Sequence, residues 1–278
     1  MPLVAMRELL RAAKGIHSTV AAFNVANLEM VQGVVGAAEA HGQSLVMQIA
    51  QCRLDTAPLP LIGRAMVAAA QEAGVPVAVH FDHGLTLDAI HQALDLGFTS
   101  VMYDGSTLPL EENIERTLEV TALASRYGAG VEGEVGRVGR GEDGGEARMA
   151  YSDPEDALRY ARATGVDALA VAIGNAHGIY EGAPELHYEI LTAITAQNDT
   201  PLVLHGGTGI SADNFRRLIR SGMRKINIGT AGFQAAARAA RTTEGDDIFE
   251  VSRRQIAAAA RVVTEHLRIF GIICEGER

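Results

Sequence analysis

Val75-Pro-Val-Ala-Val-His-Phe-Asp-His-Gly84 is an apolar, β-branched run that closes on an acid and an imidazole side by side. Its first half reads as a strand buried on both faces, the kind found in parallel sheets. Gly74 stands before it, and Leu87, Ile90 and Leu94 follow at helical spacing. Outward from this stretch the same phrase recurs: an amphipathic helix, a glycine, then a short β-branched run. The glycines are Gly15, Gly42, Gly74, Gly97, Gly128, Gly165 and Gly222, each where a helix end favours a left-handed residue. The runs cover residues 19–24, 45–49, 75–80, 100–103, 130–134, 168–174 and 225–229. An eighth, residues 201–205, follows Asn198-Asp199, a substitute that such a cap tolerates.

The helices between them carry start signals. Asp153-Pro154-Glu155 sets a cap residue before a proline at the first helical position, and Ser211 with Asp213 opens the helix after the seventh run. A last helix over residues 247–270 aligns Ile256, Ala260, Val263, Leu267 and Phe270 on one face. Eight strand–helix units without a linker predict one α/β domain over residues 1–278, a (β/α)8 TIM barrel. A doubly wound open sheet would want a glycine-rich loop after its first strand, and Phe23-Asn24-Val25-Ala26-Asn27 is not one. Residues 133–150 have no apolar period, so a mobile, functional loop is expected at about 135–150.

A net charge of -10 argues against nucleic acid as a partner. No apolar run of membrane-spanning length occurs, and Met-Pro-Leu-Val-Ala-Met-Arg-Glu at the start lacks the pattern of a signal peptide. Cys52 and Cys274 have no CxxC spacing; a reduced, cytoplasmic setting without a disulfide is the expectation.

Barrel enzymes build their sites on the C-terminal ends of the strands. Those ends hold Asn24, Gln48, Asp82-His83, Asp104, Glu132 and Glu134, Asn175-Ala176-His177, His205-Gly206-Gly207-Thr208, and Asn227 with Thr230. A lone histidine there is more often a hydrogen-bonded polar residue than a ligand. Three on ends that converge across one mouth reverse that weighting, because three imidazoles with an open position suit a catalytic cation such as zinc. The other histidines fail this test: His17 lies in a loop, and His41, His91, His187 and His266 lie in helical stretches. His80 shares a face with Asp82 but sits deeper, as a packed or supporting residue. Gly206-Gly207-Thr208-Gly209 and Ile226-Asn-Ile-Gly-Thr230 follow the seventh and eighth strands, where barrels commonly bind phosphate. The plainer reading is two glycine-rich turns capped by Thr208 and Ser211.

With these residues in place, the chain resembles the class II, metal-dependent ketose-bisphosphate aldolases of the fructose- and tagatose-bisphosphate type. The resemblance runs from Ala22-Phe-Asn-Val to Arg268-Ile-Phe-Gly. It is carried by His80-Phe-Asp-His-Gly84, Glu132-Gly-Glu-Val-Gly136, Ala172-Ile-Gly-Asn-Ala-His-Gly178, Leu204-His-Gly-Gly-Thr-Gly209 and Lys225-Ile-Asn-Ile-Gly-Thr230. It implies zinc, or another divalent metal, on His83, His177 and His205, with Glu134 able to approach it and Asp104 orienting a ligand histidine. Asp82 would exchange a proton with the aldehyde-derived oxygen. Glu142, in Arg140-Gly-Glu-Asp-Gly144, would act on the carbon proton. Asn24, Gln48, Gly178, Gly206, Gly207, Thr208, Asn227 and Thr230 would line the dihydroxyacetone-phosphate site.

The implied reaction splits or forms a phosphorylated ketose through an enediolate whose charge a Lewis acid stabilises. A monovalent cation (Na+ or K+), a homodimer or homotetramer, and a place in carbohydrate metabolism near glycolysis belong to the same implication. A Schiff-base lysine is disfavoured, since Lys14 ends the first helix and Lys225 begins the eighth strand, remote from the mouth.

Three departures separate the chain from the fructose-bisphosphate pattern: Glu181 after His177-Gly-Ile-Tyr180, Ala50 in place of a serine, and Gly229 in place of an aspartate. Arg253 and Arg254 are candidates for a distal phosphate. An aldolase for a non-bisphosphate ketose or keto-acid phosphate is therefore an alternative, as is a non-catalytic barrel that kept the metal site. A zinc hydrolase would want His-x-His on the first strand, which is absent.

Overall fold

The computed structural model describes residues 2–139, 149–243, 245 and 247–272. Eight parallel strands close on themselves in chain order. They are β1 (Val20–Asn24), β2 (Leu45–Ala50), β3 (Val77–Gly84), β4 (Ser100–Tyr103), β5 (Gly130–Val135), β6 (Ala168–Val171), β7 (Leu202–Leu204) and β8 (Met223–Ile228). Closure runs through Val20↔Lys225 to Phe23↔Ile228 between β1 and β8. The helices are α1 (Met6–Gly15), α2 (Leu28–Ala40), α3 (Leu59–Glu72), α4 (Leu87–Asp95) and α5 (Leu110–Ser125), then α6 (Pro154–Thr164), α7 (Tyr188–Thr195), α8 (Ala212–Arg220), α9 (Thr230–Arg241) and α10 (Ile248–Ile269). The expected (β/α)8 barrel is the observed one. Among the described residues no helix is long and apolar enough to cross a membrane.

Strand period two sorts the side chains. Phe23, Met47, Ile49, Val79 and Phe81 face outward into the apolar layer under the helices. Ala22, Val46, Ala78, Ala168, Ala170 and Val203 face inward and pack with Met6 and Leu10 of α1. That helix precedes β1 and stoppers the barrel with apolar side chains. Above the stopper the buried interior turns polar: His80, Ser100, Glu132 and Lys225, then Asn24, Gln48, Asp82, Glu134 and Asn227. This layering sets the chemistry at the C-terminal mouth.

Several local readings need correction. Gly42, Gly97, Gly128, Gly165 and Gly222 take positive φ, but Gly15 and Gly74 do not; after α1 the left-handed residue is His17. Asn198 is not left-handed either: its side-chain oxygen accepts the Thr200 N–H and turns the chain that way. The run 168–174 yields only a four-residue strand, because Ser152 Oγ takes the Ala172 N–H and Asn175 Oδ1 takes that of Ile173. Glu142, Arg140 and Cys274 lie outside the described residues.

Candidate active site

His83 is the penultimate residue of β3, His177 follows β6, and His205 follows β7 directly. Barrel closure turns one nitrogen of each toward a common point. His83 Nε2 lies 2.8 Å from His205 Nδ1 and 3.3 Å from His177 Nε2. All three side chains are buried, and the three ligand atoms lie within 4.8 Å of one another. A tetrahedral ion with metal–nitrogen bonds of about 2.0–2.1 Å needs nitrogens roughly 3.3 Å apart. The His83–His177 separation already matches, and the His83–His205 pair has to open by a fraction of an ångström.

The far nitrogens support the same reading. His83 Nδ1 is 2.7 Å from Asp104 Oδ2, and His205 Nε2 is 2.9 Å from Glu132 Oε1. A carboxylate on the outer nitrogen fixes the tautomer and leaves the inner lone pair for a cation. Burial by itself would lower the His83 pKa, but the charges of Asp82, Asp104 and Glu134 and the Asp104 hydrogen bond raise it well above the ordinary histidine value. Asp104 is pushed up by burial and down by more through its bond to His83, ending well below the usual carboxylate range. Burial, helped by the Asp104 charge, lifts Glu134 to about 8. Its Oε1 accepts from the Val138 N–H, while Oε2 has no hydrogen-bond partner among the described residues. A buried carboxylate oxygen left in that state fits a site completed by a proton or a cation. The residues present therefore suit a divalent metal.

Asp82 is held from the neighbouring strands. Asn24 Nδ2 donates to its Oδ2 at 2.8 Å, and Gln48 Nε2 donates to Oδ2 at 3.1 Å and to Asn24 Oδ1 at 2.9 Å. The other oxygen, Oδ1, has no hydrogen-bond partner among the described residues. Asp82 lines a cleft with Asn24, His177, Gly178, Gly206, Thr208, Asn227, Gly229 and Thr230. Neither polar atom of the buried Asn227 side chain has a hydrogen-bond partner among the described residues. Gly206 has φ of +65°, and a Cβ there would sit 2.1 Å from the Ala176 oxygen, so only glycine lets these two loops touch.

Two of the expected site residues are also engaged within the protein. Gln48 is wholly buried beneath Asp82, and Gly207 packs against the Asn227 backbone, with its N–H donating to that carbonyl. Thr208 Oγ1 accepts the Ala231 N–H at the start of α9, and Ser211 caps α8, as the plainer capping reading has it.

Residues beyond the motifs complete the mouth. The Tyr180 hydroxyl accepts the Ala176 N–H and donates to the Gly206 carbonyl, joining the loops after β6 and β7. Arg53, in the 3₁₀ turn Gln51–Arg53 after β2, lies over the Phe233 ring at 5.4 Å. It lines a second cleft with Ala26, Asn27, Thr56 and Gln255. Its only signal in the sequence was position, three residues past a strand end. Lys225 is not isolated from the site: its Nζ is 2.9 Å from Glu132 Oε2, one residue removed from His205. Arg253 and Arg254 pair with Glu250 on α10, and Glu181 is exposed, turned into solvent.

Comparison with known proteins agrees with this geometry. The family described as fructose-bisphosphate aldolase class-II matches residues 4–274. The chain is 41% identical, over 257 residues, to the 6-phospho-5-dehydro-2-deoxy-D-gluconate aldolase of Halalkalibacterium halodurans, covering 90% of this chain and 88% of that one. It is 38% identical to the probable fructose-bisphosphate aldolase of Bacillus subtilis, with 98% of each covered. Among solved structures, the YdjI aldolase from Escherichia coli K12 superposes with a TM-score of 0.88 at 33% identity, with 97% of each chain covered.

Proposed function

The chain belongs to the class II fructose-bisphosphate aldolase family and is an aldehyde-lyase of that class, and on that premise we propose that it uses zinc to split a keto-acid phosphate into dihydroxyacetone phosphate and a carboxylated aldehyde. The observation that carries the reaction type is the meeting of Asp82, with an unpartnered Oδ1, and three inward-turned histidine nitrogens beside a glycine-rich cleft. The substrate class is supported by the relatives named for 6-phospho-5-dehydro-2-deoxy-D-gluconate, and by the loss of fructose-type residues at Ala50, Glu181 and Gly229.

In that compound the bond between the third and fourth carbons lies β to the ketone, so a retro-aldol cut leaves 3-oxopropanoate and the three-carbon ketose phosphate. Asp82 Oδ1 takes the proton of the third-carbon hydroxyl as that bond breaks, and Asn24 and Gln48 hold the carboxylate on its other oxygen. A divalent cation, when bound by His83, His177 and His205, supplies a Lewis acid for the charge that develops on the ketose oxygens. Glu142, by family resemblance, returns a proton to the fourth carbon. The Gly206 loop and the start of α9 at Thr230 offer backbone N–H groups for the phosphate. Arg53 offers the planar cation that a substrate carboxylate prefers; the two clefts adjoin at the end of β1, with Asn24 lining one and Ala26 and Asn27 of the following loop lining the other.

The zinc-loaded protein is tested against 6-phospho-5-dehydro-2-deoxy-D-gluconate, fructose 1,6-bisphosphate and tagatose 1,6-bisphosphate, with triose phosphate release as the signal. The expected kcat/KM favours the keto acid by about tenfold or more. Preference for a bisphosphate overturns the substrate, and no cleavage with full zinc loading favours the non-catalytic barrel.

A further inference from the structure

Two buried groups beside the site, His80 and Lys225, have no part in the chemistry above, and Glu132 enters it only as the partner of His205; all three are 0% exposed. With Asp82, His80 and Glu132 form a cluster that could hold a cation. It already holds one. The Lys225 ammonium lies 2.9 Å from Glu132 Oε2, while His80 Nε2 is 3.8 Å from that same oxygen and His80 Nδ1 is turned to Ser100 Oγ at 2.8 Å. The remaining oxygen, Glu132 Oε1, lies 2.9 Å from His205 Nε2. Lysine only donates and a carboxylate only accepts, so this chain of contacts has one direction. Lys225 donates to Oε2, and Oε1 accepts the proton of His205 Nε2. The lone pair of His205 is thereby confined to Nδ1, the atom that faces His83.

Resting on the reading of the three histidines as a metal site, we propose that Lys225 and Glu132 are positioning residues that lock His205 in the tautomer able to bind the metal. The geometry makes the pair's effect conditional. In Glu132→Gln, the Lys225 ammonium claims the amide oxygen and the amide NH2 turns to His205 Nε2. That nitrogen must then accept, and the ring proton moves to Nδ1, where it blocks the metal. In Glu132→Gln/Lys225→Met no ammonium competes, so the amide can turn its oxygen to His205 and restore the original tautomer.

Zinc affinity, measured by competition with a chromophoric chelator, tests this in the full chain. The unaltered protein binds zinc tightly, and Glu132→Gln weakens it by about 10- to 100-fold. The double variant recovers to within about threefold of the unaltered protein, with an unchanged ligand-field spectrum of the cobalt-substituted site. A double variant as weak as the single one overturns the proposal, since loss of two buried groups from a purely structural pair gives no recovery. Unchanged affinity in Glu132→Gln overturns it too, leaving the metal site itself intact. An unaltered protein that binds no zinc overturns the site reading and the proposal with it. A measurement on the unaltered chain covers variants that do not fold: the ring 15N resonances of metal-free His205 are expected to show a protonated Nε2, and an unprotonated one overturns the assignment.

Discussion

Asp82 and His83 are adjacent in the chain, yet both bring their polar atoms to the same barrel mouth. Asp82 Oδ2 meets Asn24 and Gln48, while His83 Nε2 meets His205 and His177. A regular strand sends neighbours to opposite faces. β3 escapes this by an irregularity: its pairing with β4 passes from Phe81↔Val101 to Gly84↔Tyr103, and His83 takes φ of +45°. A non-glycine residue in the left-handed region costs about 1–2 kcal/mol, a strain tolerated because it re-aims one side chain without moving the other. The two residues should separate by function. His83→Ala is expected to abolish tight zinc binding, whereas Asp82→Asn keeps the metal and loses about 10²- to 10⁴-fold in kcat. Elemental analysis beside steady-state rates checks this; equal metal loss in both contradicts the assigned roles.

The bulge depends on Gly84. A Cβ there would stand 2.5 Å from the Met102 carbonyl oxygen and 2.7 Å from Ile90 Cγ1, one a backbone atom of β4 and the other a fully buried core side chain. Gly84→Ala is expected to destabilise the protein by about 1–3 kcal/mol, read from urea unfolding. A loss under about 0.5 kcal/mol would mean that β3 and β4 part easily at this point.

Arg53 sits beyond the motif residues, over Phe233. If it receives the substrate carboxylate, Arg53→Ala raises KM for the keto-acid phosphate by roughly tenfold or more, the scale of a lost charged hydrogen bond. KM for fructose 1,6-bisphosphate, which has no carboxylate, should barely change. A parallel rise for both substrates would reassign Arg53 to packing.

His266 offers a pH test away from the mouth. It is buried on α10 against Phe23, Phe215 and Phe270, with Nδ1 2.8 Å from the Val262 carbonyl. Burial lowers its pKa below the ordinary 6.5. The unfolded chain therefore binds a proton here at a pH where the folded chain does not. The contribution is fully present above pH 6.5 and is lost as pH falls from there through the folded value. His80 and His205 are shifted the same way by burial, so part of the acid sensitivity is theirs. His266→Phe should flatten the slope of unfolding free energy between pH 7 and 5 by up to about 1.4 kcal/mol per pH unit. An unchanged slope would mean that His266 titrates alike in both states.

Much of this protein is written within short windows of its chain. Glycine-punctuated alternation of helical and β-branched runs suffices for the barrel, since period and capping act over about ten residues. Approximate strand ends follow from the same reading, though β6 stops at Val171 and β3 runs on to Gly84, and with them come the positions of the three histidines, Asp82 and the glycine-rich turns. Other features have no local cause. Lys225 reads as a residue remote from the mouth until closure brings it to Glu132, 93 positions away, and Glu132 to His205, 73 positions away. Tyr180 and Gly206, and Thr208 and Ala231, likewise become partners only when their loops meet. The bulge that lets Asp82 and His83 share a mouth is a matter of register between β3 and β4. Propensity belongs to single residues and their neighbours. Register, tautomer and the partner of a buried charge belong to strands brought together by barrel closure, and only the tertiary structure decides them.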